Sequence, residues 1–89
     1  MTSKKDFPAT SVLVPLIIES IKTNGGSAHF KIIEDDVAKK LEISEDLRTR
    51  IRSGGRTEFA YRLSWARTQA KSDGLIVNAG SGIWTTVGP

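Results

Sequence analysis

An α+β fold, mainly helical, with three to four helices and a C-terminal β-hairpin, is what this 89-residue sequence predicts. Three observations predict it. Apolar residues recur at spacings of three and four in separate stretches, the period of half-buried helices. Glycine-containing breaks at Asn24-Gly25-Gly26, Ser53-Gly54-Gly55 and Gly74 divide those stretches. The C-terminal segment instead sets two β-prone runs around a turn rich in glycine and asparagine.

Residues 1–10 are polar and contain Pro8, so they are expected to form a loose arm, with the folded domain over residues 11–89. Residues 12–24 read as the first helix: Leu13, Leu16, Ile17 and Ile21 share a face, and Pro15 is tolerable only in a first turn. Residues 27–30 are short and extended, enough for one edge of a small sheet. Residues 31–41 form the second helix, with Ile33, Val37 and Leu41 at four-residue spacing and charges outside. Ser44 is a capping residue followed by the acids Glu45 and Asp46, the start of a third, short helix expected to run into Ile51.

The longest helix lies within residues 48–73, behind the Ser53-Gly54-Gly55 hinge. Thr57 is its expected N-cap, because a hydroxyl can accept from the unpaired amides of the first turn. Gly74 stands where a left-handed C-cap residue is wanted. Phe59, Leu63, Ala66 and Ala70 make one buried stripe, which Trp65 is expected to widen. The outer face carries Thr57, Ala60, Tyr61, Ser64, Arg67, Thr68 and Lys71, with no carboxylate among them. Ordinary solvated faces mix both signs; this one suits a polyanionic groove. Helix, strand, helix, short helix, longer helix and hairpin, in that order, describe a winged helix-turn-helix, whose last helix lies in the DNA major groove.

Charge distribution points the same way. Residues 1–47 hold six lysines and eight acids, a balance of −2, whereas residues 48–89 hold six arginines and one lysine against two acids, a balance of +5. Such asymmetry points to an anionic partner. The absence of cysteine excludes a disulfide framework and a thiolate zinc site. No apolar run is long enough to span a bilayer and no signal-peptide pattern begins the chain, so a cytoplasmic, nucleoid-associated protein is expected. Catalysis finds no constellation: His29 stands alone, Asp35 and Asp36 project apart, and Gly80-Ser81-Gly82 precedes a strand where a phosphate loop would precede a helix. No enzyme activity, cofactor or metal is expected of this chain.

Pro15-Leu16-Ile17-Ile18, Gly25-Gly26-Ser27, Leu47, the residues 53–56 hinge, Arg62-Leu63-Ser64-Trp65-Ala66-Arg67-Thr68, Gly74-Leu75 and Gly82-Ile83-Trp84 occur in order. Together they resemble the N-terminal winged-helix domain of Mrr-type modification-dependent restriction endonucleases, over roughly residues 12–87. The resemblance implies a DNA-binding domain that serves a nuclease lying elsewhere. Two departures stand out. The family hinge reads closer to P-S-G-R-Q, and the wing tip at residues 78–82 lacks the basic residues often found in relatives.

Double-stranded DNA is therefore the expected partner, with a preference for methylated bases as a further expectation. The residues expected to bind it are Arg56, Thr57, Tyr61, Ser64, Arg67, Thr68 and Lys71. Arg56 is expected at a phosphate or a guanine edge, Arg67 at the backbone and Tyr61 at a methyl group. Arg48, Arg50, Arg52 and Ser81 are further candidates for backbone contact. Arg62 is expected to be structural, paired with Asp35 or Asp36, and Trp65 and Trp84 to be packing residues. Two other readings stand beside this one: a winged helix that binds a protein partner, and a small stand-alone transcriptional regulator.

Overall fold

The apolar stripes of three helices meet in one core. A computed structural model of the chain describes residues 8–87, so the expected arm lies outside the described residues except for its last three. Helix α1 (Thr10–Thr23) leads to strand β1 (Ser27–His29), helix α2 (Phe30–Leu41) and the short helix α3 (Glu45–Thr49). Strands β2 (Ile51–Ser53) and β3 (Arg56–Thr57) form a ribbon, followed by helix α4 (Glu58–Ser72) and strands β4 (Ile76–Gly80) and β5 (Ile83–Thr86). Leu13, Ile17, Ile21, Ile33, Val37, Phe59, Leu63, Ala66, Ala70 and Ile76 are all 1% exposed or less. Helix α1 packs along α4, which contributes the small residues Ala66 and Ala70 to the core.

Helix ends follow the sequence signals. Gly26 N donates to Ile21 O at 2.9 Å and Gly25 N to Lys22 O at 3.1 Å, closing α1 in a Schellman motif. Gly74 takes a φ of 76° and closes α4 in the same way, with Leu75 N on Ala70 O at 2.9 Å. In α2 the left-handed position falls to Glu42, at a φ of 55°. Ser44 caps α3 by accepting from Leu47 N at 3.1 Å.

Two boundaries differ from expectation. α1 begins at Thr10, which moves Pro15 past the first turn and removes the amide that would bond the Ser11 carbonyl. Both residues are exposed, so water can replace that bond. α3 stops at Thr49, short of Ile51, because Arg50 turns extended (φ −60°, ψ 126°) and feeds β2. The expected hinge is then a reversal: Gly54 and Gly55 take φ values of 60° and 79°, which only glycine adopts in succession without strain, and β2 folds back on β3.

The three-stranded antiparallel sheet has the order β1-β5-β4, with Ala28 opposite Trp84 and Val77 opposite Thr85. Residues 27–29 thus form the edge that the sequence suggested. The β4–β5 turn is shorter than the five-residue one expected. Gly80 pairs with Ile83, leaving Ser81 (φ 53°) and Gly82 (φ 77°) as a two-residue turn. A Cβ on Gly82 would lie 2.8 Å from Phe30 Cδ2 and 3.0 Å from His29 Nε2, so the turn sits directly on the start of α2. The fold is α+β and mainly helical, compatible with a winged helix whose last helix is α4 and whose wing is β4–β5. Among the described residues no helix is long and apolar enough to cross a membrane.

Candidate nucleic-acid interface

The ribbon delivers α4 into place. Glu58 N donates to Arg50 O at 2.9 Å, and Thr57 Oγ1 accepts from Ala60 N at 3.0 Å, the cap its sequence position predicts. With Phe59, Leu63, Ala66 and Ala70 turned inward, the remaining surface of α4 divides into two flanks of different chemistry.

One flank is self-neutralised. The Glu58 carboxylate accepts from Arg52 Nη1 at 3.0 Å and from Arg62 Nε at 2.7 Å. Arg52's hydrogen bond holds the Glu58 carboxyl below its ordinary pKa. Burial pushes the other way, and Arg62's hydrogen bond together with both positive charges outweighs it. The Arg52 guanidinium also lies 3.7 Å over the Tyr61 ring, which meets Trp65 edge-on at 6.4 Å. Tyr61, Arg62, Trp65, Pro8 and Leu13 line a cleft of about 210 Å³ on this side.

Two expectations fail here. Trp65 is 56% exposed and does not widen the buried stripe. It follows Tyr61 by four residues and precedes Thr68 by three, which carries it round to the outer face. Arg62 does not pair with Asp35 or Asp36. Asp35 pairs with Arg48, while Asp36 accepts from Ser20 Oγ at 2.7 Å and Asn24 Nδ2 at 3.0 Å, tying α1 to α2. Arg62 instead reaches the first-turn acid four residues behind it on its own helix. Trp84, by contrast, packs against the core as expected.

The second flank carries Ala60, Ser64, Arg67 and Lys71. Ser64 Oγ donates to Tyr61 O at 2.7 Å and Thr68 Oγ1 to Ser64 O at 3.0 Å, so both hydroxyls have spent their hydrogens on the helix and offer lone pairs outward. Lys71 and Arg56 are exposed and have no ion pair among the described residues. Arg67 is half-buried, with its guanidinium 5.6 Å from the ring centres of both Phe30 and Trp84. Its Nε is buried and has no hydrogen-bond partner. Burial lowers its pKa, the charge of Glu34 opposes that, and Arg56 adds to it.

The remaining candidates lie apart from this flank. Arg48 pairs with Asp35, and Arg50 with Asp46 at 3.6 Å, so these arginines and Arg52 each face a carboxylate. Ser81 is exposed at the wing turn, where residues 78–82 carry no cation. His29 is a cap: its Nδ1 accepts from Lys31 N at 3.1 Å and its ring stacks on Phe30 at 4.4 Å. The described residues contain no cluster of three or more histidine, aspartate or glutamate side chains able to hold a metal. The sequence reading missed Glu58 as the acid that matches two arginines, although its spacing of four from Arg62 was legible. It also missed Phe30, whose contact with Arg67 has no local signal.

No curated protein and no solved structure matches the chain. A family model described as the Mrr N-terminal domain matches residues 11–86, from the start of α1 to the end of β5. The matched region is an N-terminal, non-catalytic domain of Mrr-type proteins, and the chain belongs to the Mrr N-terminal domain family.

Proposed function

We propose that this chain binds double-stranded DNA as a winged helix, with α4 in the major groove and β4–β5 as the wing, and that it finds the target for a nuclease domain of a restriction system. The observation that carries this reading is the asymmetry of α4. Every described arginine except Arg56 and Arg67 is matched by a carboxylate. Those two share one flank with Lys71, and a flank of unmatched cations and small residues suits a polyanion that also presents base edges. Membership of the Mrr N-terminal domain family supports the link to restriction. The chain contributes recognition; the chemistry belongs to a nuclease, fused or associated.

Duplex binding measured against salt tests this. Arg56 and Lys71 on phosphates give a log–log slope of about −2. A flat titration between low and moderate salt overturns phosphate contact. Methyl reading is the finer part of the proposal. A methyl on adenine N6 or cytosine C5 projects into the major groove as apolar surface, and Ala60 and Ser64 offer it small neighbours. Tyr61 contributes less than its side chain suggests, since Arg52 covers one face of its ring. Methylated duplexes should bind a few-fold tighter than plain ones, the worth of about one buried methyl. Equal binding at several sequences reduces the proposal to plain DNA binding.

A second reading concerns the other flank. Trp65, half-exposed beside Tyr61, Arg52 and Arg62, belongs to the residue types that dominate protein interfaces. We infer that this flank seats a protein partner while the opposite one meets DNA. Trp65→Ala should leave duplex affinity within about two-fold if so, since a stacking contact with a base is worth far more.

A further inference from the structure

We propose that Arg67 reads the N7 and O6 edge of a guanine, with Phe30 and Trp84 fixing its guanidinium for that contact; this rests on the DNA-binding reading above. A buried, unpartnered donor is a cost that folded proteins rarely leave in place, and here it has a specific position. Arg67 has five N–H donors and no hydrogen bond or ion pair among the described residues, while its Nε is sealed inside. The terminal nitrogens are not among the buried polar atoms. The guanidinium therefore has its Nε sealed inside, two rings beside it at 5.6 Å, and only its outer fork left unburied.

A guanidinium held in that way presents two parallel N–H bonds in a fixed direction. Guanine offers two acceptors side by side in the major groove, and the arginine–guanine pair follows from that geometry. A phosphate would also accept two bonds, but it needs no fixed donor. The mobile cations that suit a phosphate are already supplied by Arg56 and Lys71, both exposed. Arg67 also shares its flank with Ala60 and Ser64, seven and three residues earlier, whose short side chains let a base edge come close to the helix. Glu34 lies near enough to favour the charge of Arg67 without forming an ion pair with it, so the fork stays free. Reading a base from this position reverses the backbone role that the helical wheel alone suggests.

The test uses the full chain and short duplexes with a randomised centre. Sequences selected by the protein are remade with 7-deazaguanine, which keeps O6 and replaces N7 by a C–H group. Wild-type affinity should fall by roughly 5- to 100-fold on that replacement, the span of one bidentate arginine–guanine contact. Arg67→Lys keeps the charge and three donors but loses the planar fork, and should lower the ratio of the two affinities with the salt slope unchanged. Arg67→Met keeps an aliphatic stem but no donor; it should bring the ratio close to one while keeping the slope. Melting temperatures of both variants check that they fold, and the wild-type comparison stands even if they do not. Equal wild-type binding to both duplexes overturns the proposal. So does a ratio that survives Arg67→Met, or a slope that falls by about one in that variant, which marks a phosphate contact. If wild type binds no duplex in a salt-dependent way, it is the DNA-binding reading that fails instead.

Discussion

Glu58 is the residue on which two arginines of the α4 surface depend. Its carboxyl is held below its ordinary pKa, first by Arg52's hydrogen bond. A depressed carboxyl stabilises the fold fully above its unfolded pKa, and that contribution disappears as pH falls through the folded value. The melting temperature of wild type minus that of Glu58→Gln should therefore be constant around neutrality and shrink in acid, below the ordinary carboxylate range. A difference that grows in acid would contradict this assignment. The same residue scale separates two aromatic substitutions. Trp65→Ala removes a half-exposed ring and should cost about 1 kcal/mol or less, whereas Phe59→Ala opens the core and should cost about 3–5 kcal/mol. Urea unfolding of the two variants checks the contrast; equal costs would put Trp65 in the core after all.

At the scale of elements, helix ends were the most legible feature of the sequence. Ser44, Thr57 and Gly74 each do what their position announces, because capping depends on a few neighbouring residues. Glu42 is the exception: a side chain occupies the left-handed end of α2 at a φ of 55°. Glu42→Gly should relieve that strain and raise stability by about 0.5–1 kcal/mol, once the entropy of a freer unfolded chain is subtracted. Thermal unfolding reads it, and a fall in melting temperature would show Glu42 to be held there by contacts worth more than the strain. The β2–β3 ribbon was not legible beyond its glycines, because two strands of three and two residues carry too few positions to show alternation. The outer face of α4 was read as one surface, although Arg52 comes from the ribbon and covers part of it. Periodicity within a helix says nothing of what a neighbouring element lays over it.

Across the whole molecule, the β4–β5 turn and helices α2 and α4 converge on Phe30. Gly82 rests on its ring, His29 stacks beside it and Arg67 points past it. Gly82→Ala should cost about 2–4 kcal/mol, from a left-handed backbone that disfavours a side chain and from the forced movement of Phe30. A variant that melts like wild type would show the turn to be free to lift. The core stripes and the β4–β5 hairpin were within reach of the sequence, since apolar period and a short connection determine them. The meeting at Phe30 was not, because its parts lie at opposite ends of the chain. That separation also governs how the molecule comes into being. β5 is the middle strand of the sheet, and it emerges from the ribosome after all the other described elements. Until it arrives, β1 and β4 have no partner between them, and the helices must hold the chain together through the packing of α1 on α2 and α4. Closing the sheet joins residues 27–29 to residues 83–85 across nearly the whole sequence, the slow kind of contact in a small domain. Trp84, one of the two rings beside Arg67, arrives with that strand, so a nascent chain can pack its helices before the guanidinium has both rings next to it.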